Sequence, residues 1–127
     1  MRDLAHNISA VSAIAPAVQA AALNSAAIDT KDFNSLAFVV NTGAIAAAGD
    51  FGVKLQESDA SDSGFADVPA DQFTSNAPAT LAANSAYKLG YIGWKRYVRL
   101  AVSKAGGTSI ALGAVAIKGD AADKPAD

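Results

Sequence analysis

Few residues in this chain could carry out catalysis or bind a metal ion. His6 is the one histidine and cysteine is absent, so a zinc site or a Ser-His-Asp arrangement would depend on His6 alone. No H-x-x-x-H frame, G-x-S-x-G sequence or glycine-rich phosphate loop accompanies it. A solvated or packing histidine is therefore the expected role, and we expect a protein that is not an enzyme and needs no cofactor.

The second candidate is an acidic loop, ESDASDSGFAD, which carries Glu57, Asp59, Asp62 and Asp67. Closely spaced carboxylates can bind calcium, but the D-x-[DN]-x-[DN]-G frame is not met and no glutamate closes the loop. The pair Asp59 and Asp62 could suggest glycosidase chemistry, yet no apolar pocket is predicted to raise the pKa of either. We expect a solvated turn with no bound metal.

The third candidate is the basic and aromatic stretch GWKRYVRLAV, residues 93–102. Interleaved basic and aromatic residues can bind nucleic acid, but they can also belong to one strand with its charges on two faces. In a strand, one side would carry Trp94, Arg96, Val98, Leu100 and Val102. The other side would carry Lys95, Tyr97, Arg99 and Ala101.

Val98, Leu100 and Val102 in the first set are apolar, so we expect this side to face the core and the other side to face outward. The basic residues are then divided between the two faces. We therefore expect no specific nucleic-acid binding by this strand. Tyrosine and arginine are enriched at protein interfaces, so Tyr97 and Arg99 either contact another subunit or face water.

Length and composition indicate one small domain with an unusually uncharged surface. The chain has 127 residues, a net charge of −2 and only 17% charged residues, against about 25% in ordinary soluble domains. Half the residues are hydrophobic, but much of that half is alanine, so the core must be thin or completed by a neighbour. No apolar run approaches the ~20 residues that span a bilayer, and the N-terminal residues do not form a convincing secretion signal.

Short alternating segments separated by turns predict an all-β domain, a single antiparallel sandwich or barrel of jelly-roll type. The predicted strands include 36–40, 51–57, 87–92, 96–102 and 109–117, with a glycine hairpin at 104–107 and a loop at 43–49. We divide the chain into an N-terminal arm (1–16), the β domain (17–119) and a tail (120–127). Leu4, Ile8, Val11 and Ala15 recur at helical spacing, so the arm is predicted to be helical or irregular.

Two long stretches resemble a group of small virion proteins of tailed bacteriophages and gene-transfer agents. They are FGVKLQESDASDSGFADV (51–68) and YKLGYIGWKRYVRLAVSKAGGTSIALGAVAIKG (87–119), and the opening MRDL and FVVNTGAIAAAGDF (38–51) also fit. The resemblance covers nearly the whole chain. It concerns the scaffold and contains no active-site motif.

The resemblance implies a head decoration (cement) protein, made in the bacterial cytoplasm and carried on the outer surface of the phage head. The implied partner is the major capsid protein, with self-association as a further option and with neither nucleic acid nor membrane. Candidate interface residues are Leu4, Ile8, Val11, Ile14, Trp94, Tyr97 and Arg99. The four apolar residues of the arm either dock on the capsid or pack on their own sandwich.

Two other roles remain open at this stage. The chain could be a different virion component, such as a tail, spike or head–tail joining protein. It could also bind host glycans, since Tyr87, Tyr91 and Trp94 offer aromatic rings on which a sugar can stack.

Overall fold

The computed structural model describes residues 8–31, 33–60 and 62–121. In chain order its strands are β1 (Ile8–Gln19), β2 (Leu23–Asn24), β3 (Ile28–Asp29), β4 (Phe33–Ala46), β5 (Asp50–Ser58), β6 (Ala66–Asp67), β7 (Phe73–Ser75), β8 (Ala86–Tyr91), β9 (Tyr97–Gly106) and β10 (Ser109–Ala121). A 3-10 turn, Ala70–Gln72, precedes β7. No helix within the described residues is long and apolar enough to cross a membrane.

The strands form two antiparallel sheets that pack face to face, which confirms the predicted β-sandwich. Sheet A has the order β1-β10-β4-β8-β7, and sheet B has the order β2-β9-β5-β6, with β3 also pairing with β9 beyond β2. If β2 and β3 are taken as one interrupted strand and β7 as an added edge, the two four-stranded orders are those of a jelly roll.

The core lies between the sheets and is built mainly from alternating positions of the strands. Phe38 and Val40 of β4 face Phe51 and Leu55 of β5 across the sandwich, and all four side chains are almost fully buried. The inward set of β9 consists, as predicted, of Val98, Leu100 and Val102. Apolar burial at roughly 25 cal/mol per Å² makes this layer the main source of stability.

The N-terminal segment differs from its prediction. Residues 8–19 form strand β1, which pairs with β10 from Ile8 opposite Gly119 to Gln19 opposite Ile110, so the helical or irregular arm is wrong over residues 8–16. β1 carries two register shifts, one on each side of Ile14, and the first of them brings Val11 and Ile14 to the same inward side. Residues 1–7, including Leu4 and His6, lie outside the described residues.

Other element boundaries were predicted unevenly. The strand at 36–40 extends from Phe33 to Ala46 and takes in half of the predicted loop at 43–49. The missed strand β7 is short and pairs only with β8. The hairpin at 104–107 is confirmed, because Gly107 has φ of +74° at the turn between β9 and β10. A Cβ at Gly107 would collide with the carbonyl of Ala48.

Within the described part of the chain, every edge of the two sheets is short or interrupted. The edge strands β2, β3, β6 and β7 have two or three residues each. The long edge strand β1 is broken by its two register shifts and by Pro16. Such features prevent strand addition by another chain, so association through the described edges is disfavoured.

Candidate interaction surfaces

The outward side of sheet A, called here the apolar face, is built from small and aliphatic residues. Its members on β1, β10, β4 and β8 alternate with the core residues of those strands. They are Ile8, Ala10, Ser12, Val18, Ala111, Gly113, Val115, Ile117, Ala37, Val39, Asn41, Gly43, Ala86, Lys88 and Gly90. Lys88 is the one charged residue of this set, so the face is neutral over most of its area.

The apolar face contains a groove of about 630 Å³ that is lined by residues of β1, β10 and β4. Its floor is low because Gly43 and Gly113 lack side chains, and Pro16 lies directly over Gly113. Val18 and Val115 border the groove with 69% and 40% of their surfaces exposed. Contiguous exposed aliphatic surface of this kind is typical of a protein interaction site.

The outward side of sheet B, the polar face, has a different character. The Nε of Arg99 donates a 2.8 Å hydrogen bond to Gln56, and its guanidinium lies 4.2 Å from the ring centre of Phe65. Gln56 in turn donates to Asp67, which also pairs with Lys54 at 3.1 Å. These hydrogen bonds lower the pKa of Asp67, the one from Gln56 contributing most. The charges of this face are therefore satisfied within the molecule.

A second ion pair of the polar face lies near the start of β9. Arg96 donates two hydrogen bonds to the carboxylate of Asp29, at 2.9 and 2.8 Å, and its guanidinium lies 5.0 Å from the Tyr97 ring centre. The hydrogen bond from Arg96 is the main reason that the pKa of Asp29 falls from 3.8 to about 2. Arg96, which alternation assigned to the inward side, thus precedes β9 and pairs with a carboxylate at the surface.

The carboxylates of the acidic loop contact separate partners. Glu57 accepts a hydrogen bond from the Tyr91 hydroxyl at 2.6 Å, and Asp59 accepts one from the Lys95 ammonium at 2.9 Å. This contact with Asp59 raises the pKa of Lys95. Among the described residues, no three acidic or histidine side chains come together in a group that could hold a metal ion.

The predicted interface residues do not form one patch. Ile8 belongs to the apolar face, whereas Val11 packs against the core and Ile14 is buried within it. Tyr97 and Arg99 lie on the polar face, half-buried and engaged with neighbours. Leu4 is outside the described residues.

Trp94 is not on the inward side of β9, as the alternation had predicted, because that strand begins only at Tyr97. Trp94 instead lies in the preceding loop, with 76% of its surface exposed. Among the tyrosines proposed for sugar stacking, Tyr91 is buried and Tyr87 is half-buried.

Sequence reasoning missed Val18, Val115 and Ile92, which are three of the four large apolar side chains with high exposure among the described residues. The sequence does carry a signal for Val115. In residues 110–117, IALGAVAI, the even-numbered and the odd-numbered positions are both apolar. A strand that is apolar on both sides indicates burial on both sides. No comparable signal exists for Ile92, because its exposure depends on where β8 ends.

Comparison with known proteins identifies the fold. No family model matches the chain, and no curated protein matches its sequence. Solved structures, however, include chains that share this fold. One of these is the crystal structure of SPBc2 prophage-derived protein YomS, which aligns with a TM-score of 0.55 at 12% identity over 87% of this chain and 93% of that one. At this identity the likeness establishes a shared fold.

Proposed function

We propose that this chain is a structural protein of a phage particle, a decoration (cement) protein that binds the outer surface of the assembled head and stabilises it. The proposed partner is the major capsid protein, and the proposed location is the virion. The sequence resemblance to small virion proteins supports the proposal, as does the shared fold with a prophage-derived protein. We propose no catalytic activity.

The observation that carries the proposal is the uncovered apolar face. Strands β4 and β10 are largely apolar on both sides, yet within the described residues sheet B covers only their inward sides. Sequences of this kind are expected where a second layer of protein lies on each side of a sheet. A partner surface over Val39, Val115 and Val18 would supply that missing layer.

Two features favour the apolar face over the other described surfaces. The sheet edges are short or interrupted, which disfavours association by strand addition. The polar face has its ion pairs already formed, and a partner would have to match or desolvate them at a cost. The apolar face carries one lysine among its described residues, so its desolvation costs little and contributes about 25 cal/mol per Å² buried.

The stabilisation follows from linkage. A protein that binds the assembled shell but not its separated subunits shifts the equilibrium toward the shell. With free protein at about one hundred times its dissociation constant, each occupied site contributes about 2.7 kcal/mol. Because a shell offers many equivalent sites, modest affinity at each site is enough to increase particle stability.

The experiment measures binding of the purified chain to decoration-free heads of the phage that encodes it, by co-sedimentation. The test variant Val115→Lys places a charge at the centre of the apolar face, on a side chain that is already 40% exposed. The matched control Ser103→Lys places the same charge on the exposed outward side of β9, on the opposite sheet.

Wild type and Ser103→Lys are expected to bind and to raise the temperature at which the heads break open. Val115→Lys is expected to bind at least tenfold more weakly, because an unpaired charge would be desolvated at the contact. Absence of wild-type binding to heads contradicts the proposed function. Equal binding by both lysine variants contradicts the assignment to the apolar face.

A further inference from the structure

The loop between β8 and β9 presents a second apolar surface, separate from the apolar face. Trp94 and Ile92 lie two residues apart in this loop, with 76% and 63% of their surfaces exposed. A tryptophan with so little contact to its own chain is energetically unfavourable in water, and tryptophan is enriched among the residues that dominate binding energy at protein interfaces.

The backbone of this loop is held firmly. Ile92 N–H donates to the carbonyl of Gln72 at 2.8 Å, and Lys95 N–H donates to the buried Tyr91 hydroxyl at 3.0 Å. The carbonyl of Arg96 accepts from both the backbone N–H and the hydroxyl of Thr30, at 2.9 and 2.8 Å. A loop fixed at both ends loses little conformational entropy on binding. The loop therefore holds Trp94 in its exposed position before a partner binds.

The surroundings of Trp94 are electrically balanced. Lys95 pairs with Asp59 on one side of the loop, and Arg96 pairs with Asp29 on the other. The loop therefore presents an apolar tip between two neutralised ion pairs, which complements an uncharged protein surface with an apolar pocket.

A sugar ligand fits less well at this position. The cleft of about 280 Å³ beside Trp94 is lined in part by Thr30 and Lys95. The hydroxyl of Thr30 already donates to a backbone carbonyl, and the ammonium of Lys95 already pairs with a carboxylate. Sugar recognition needs directional polar groups next to the stacking ring, and here these two are engaged.

The groove of the apolar face and the cleft beside Trp94 lie toward opposite ends of sheet A. The groove borders Gly43 and Val18 at the end where β4 finishes, whereas the cleft beside Trp94 borders Ser35 and Leu36, where β4 begins. A molecule with two such separated surfaces can contact two neighbouring subunits at once, and linked contacts strengthen one another by raising the effective local concentration.

We propose that the Ile92–Trp94 tip inserts into an apolar pocket of a second protein subunit of the shell, so that each copy bridges two subunits. This inference rests on the proposed function. It predicts that the apolar face holds the protein on one subunit, and that the tip strengthens this attachment and joins that subunit to the next one.

The first test is Trp94→Ser, with Ile92→Ser as a second variant, measured for head binding and for head stability at saturating protein. Both side chains are exposed, so the urea midpoint of the free protein should match that of wild type. Trp94→Ser should bind heads about 10- to 100-fold more weakly and, when bound at full occupancy, should lose most of the stabilisation.

The second test follows Trp94 itself, which is the chain's only tryptophan. Replacing it with 5-hydroxytryptophan allows its emission to be excited apart from the tryptophans of the head. Binding to heads should shift the emission to shorter wavelength and reduce acrylamide quenching several-fold.

The outcomes separate the inference from the proposed function. If wild type binds and stabilises heads while Trp94→Ser does the same with equal affinity, only the bridging inference is overturned. Quenching that stays unchanged on bound heads also overturns it. An emission shift caused by free oligosaccharide indicates a glycan ligand, and one caused by raising the protein concentration without heads indicates a second copy of the chain. Either result overturns the proposal that the tip inserts into a pocket of the shell. If wild type does not bind heads, both proposals fail.

Discussion

The hydroxyl of Tyr91 joins two distant parts of the chain: it donates to Glu57 of β5 at 2.6 Å and accepts from the backbone N–H of Lys95 at 3.0 Å. Burial of the ring, followed by the hydrogen bond to Glu57, raises the pKa of Tyr91. A Cβ on Gly93 would overlap the same ring, so the tyrosine also fills the inside of the loop. Tyr91 is thus the residue that positions the Trp94 loop.

Tyr91→Phe should lower the free energy of unfolding by about 1–3 kcal/mol, because Lys95 N–H and Glu57 both lose a partner in a partly buried place. Urea unfolding measures this. The matched control is Tyr87→Phe, which removes a hydroxyl that only accepts from Ala82 N–H in an exposed setting and should cost less. An equal cost for both variants contradicts the role assigned to Tyr91.

Gly107→Ala should destabilise the β9–β10 hairpin by at least about 1–2 kcal/mol, since an alanine there must adopt φ of +74° and approach the carbonyl of Ala48. The neighbouring Gly106→Ala is the control, because a Cβ at that position has no atom within 4 Å and the backbone needs no positive φ. Thermal unfolding of the two variants should therefore differ clearly. Equal unfolding temperatures for the two variants would contradict a left-handed conformation at Gly107.

Ser25→Ala should cost about 1–3 kcal/mol although it removes a single oxygen. The Ser25 hydroxyl accepts from the backbone N–H of Leu100 at 2.8 Å, where β2 gives way to β3 and the ladder with β9 is interrupted. Without it, this buried N–H has no partner. The control is Ser103→Ala, on the exposed side of β9. Its free energy of unfolding in denaturant should lie within about 0.5 kcal/mol of that of wild type.

Asp29→Asn should remove part of the acid sensitivity of the fold. Folding lowers the pKa of Asp29 from 3.8 to about 2, so its stabilising effect is present above about pH 4 and is lost as the pH falls toward 2. Both partners of the Asp29–Arg96 pair are 40% or more exposed, so screening reduces the effect to about 1 kcal/mol.

Wild type should therefore be more stable than Asp29→Asn at pH 5, and the difference should shrink on acidification to pH 2. Urea midpoints at several pH values measure it. Asp71→Asn, which changes an exposed carboxylate of the 3-10 turn, is the control. A difference between wild type and Asp29→Asn that does not change with pH contradicts this assignment.

The sequence by itself determined the local features of this protein. Alternation identified the buried trio of β9 and the buried side of β5, and paired glycines identified the β9–β10 turn, because these signals depend only on neighbouring residues. The absence of cysteine, of phosphate loops and of a second histidine likewise follows from composition.

Only the tertiary structure decided which apolar residues are left uncovered. The outward residues of β10 are as apolar as its inward ones, and alternation cannot say which side meets sheet B. The exposure of Trp94 depends on β9 starting at Tyr97, which is set by pairing with β5 and β3 rather than by the loop sequence. Long-range strand pairing, which no local pattern encodes, therefore produced both proposed contact surfaces.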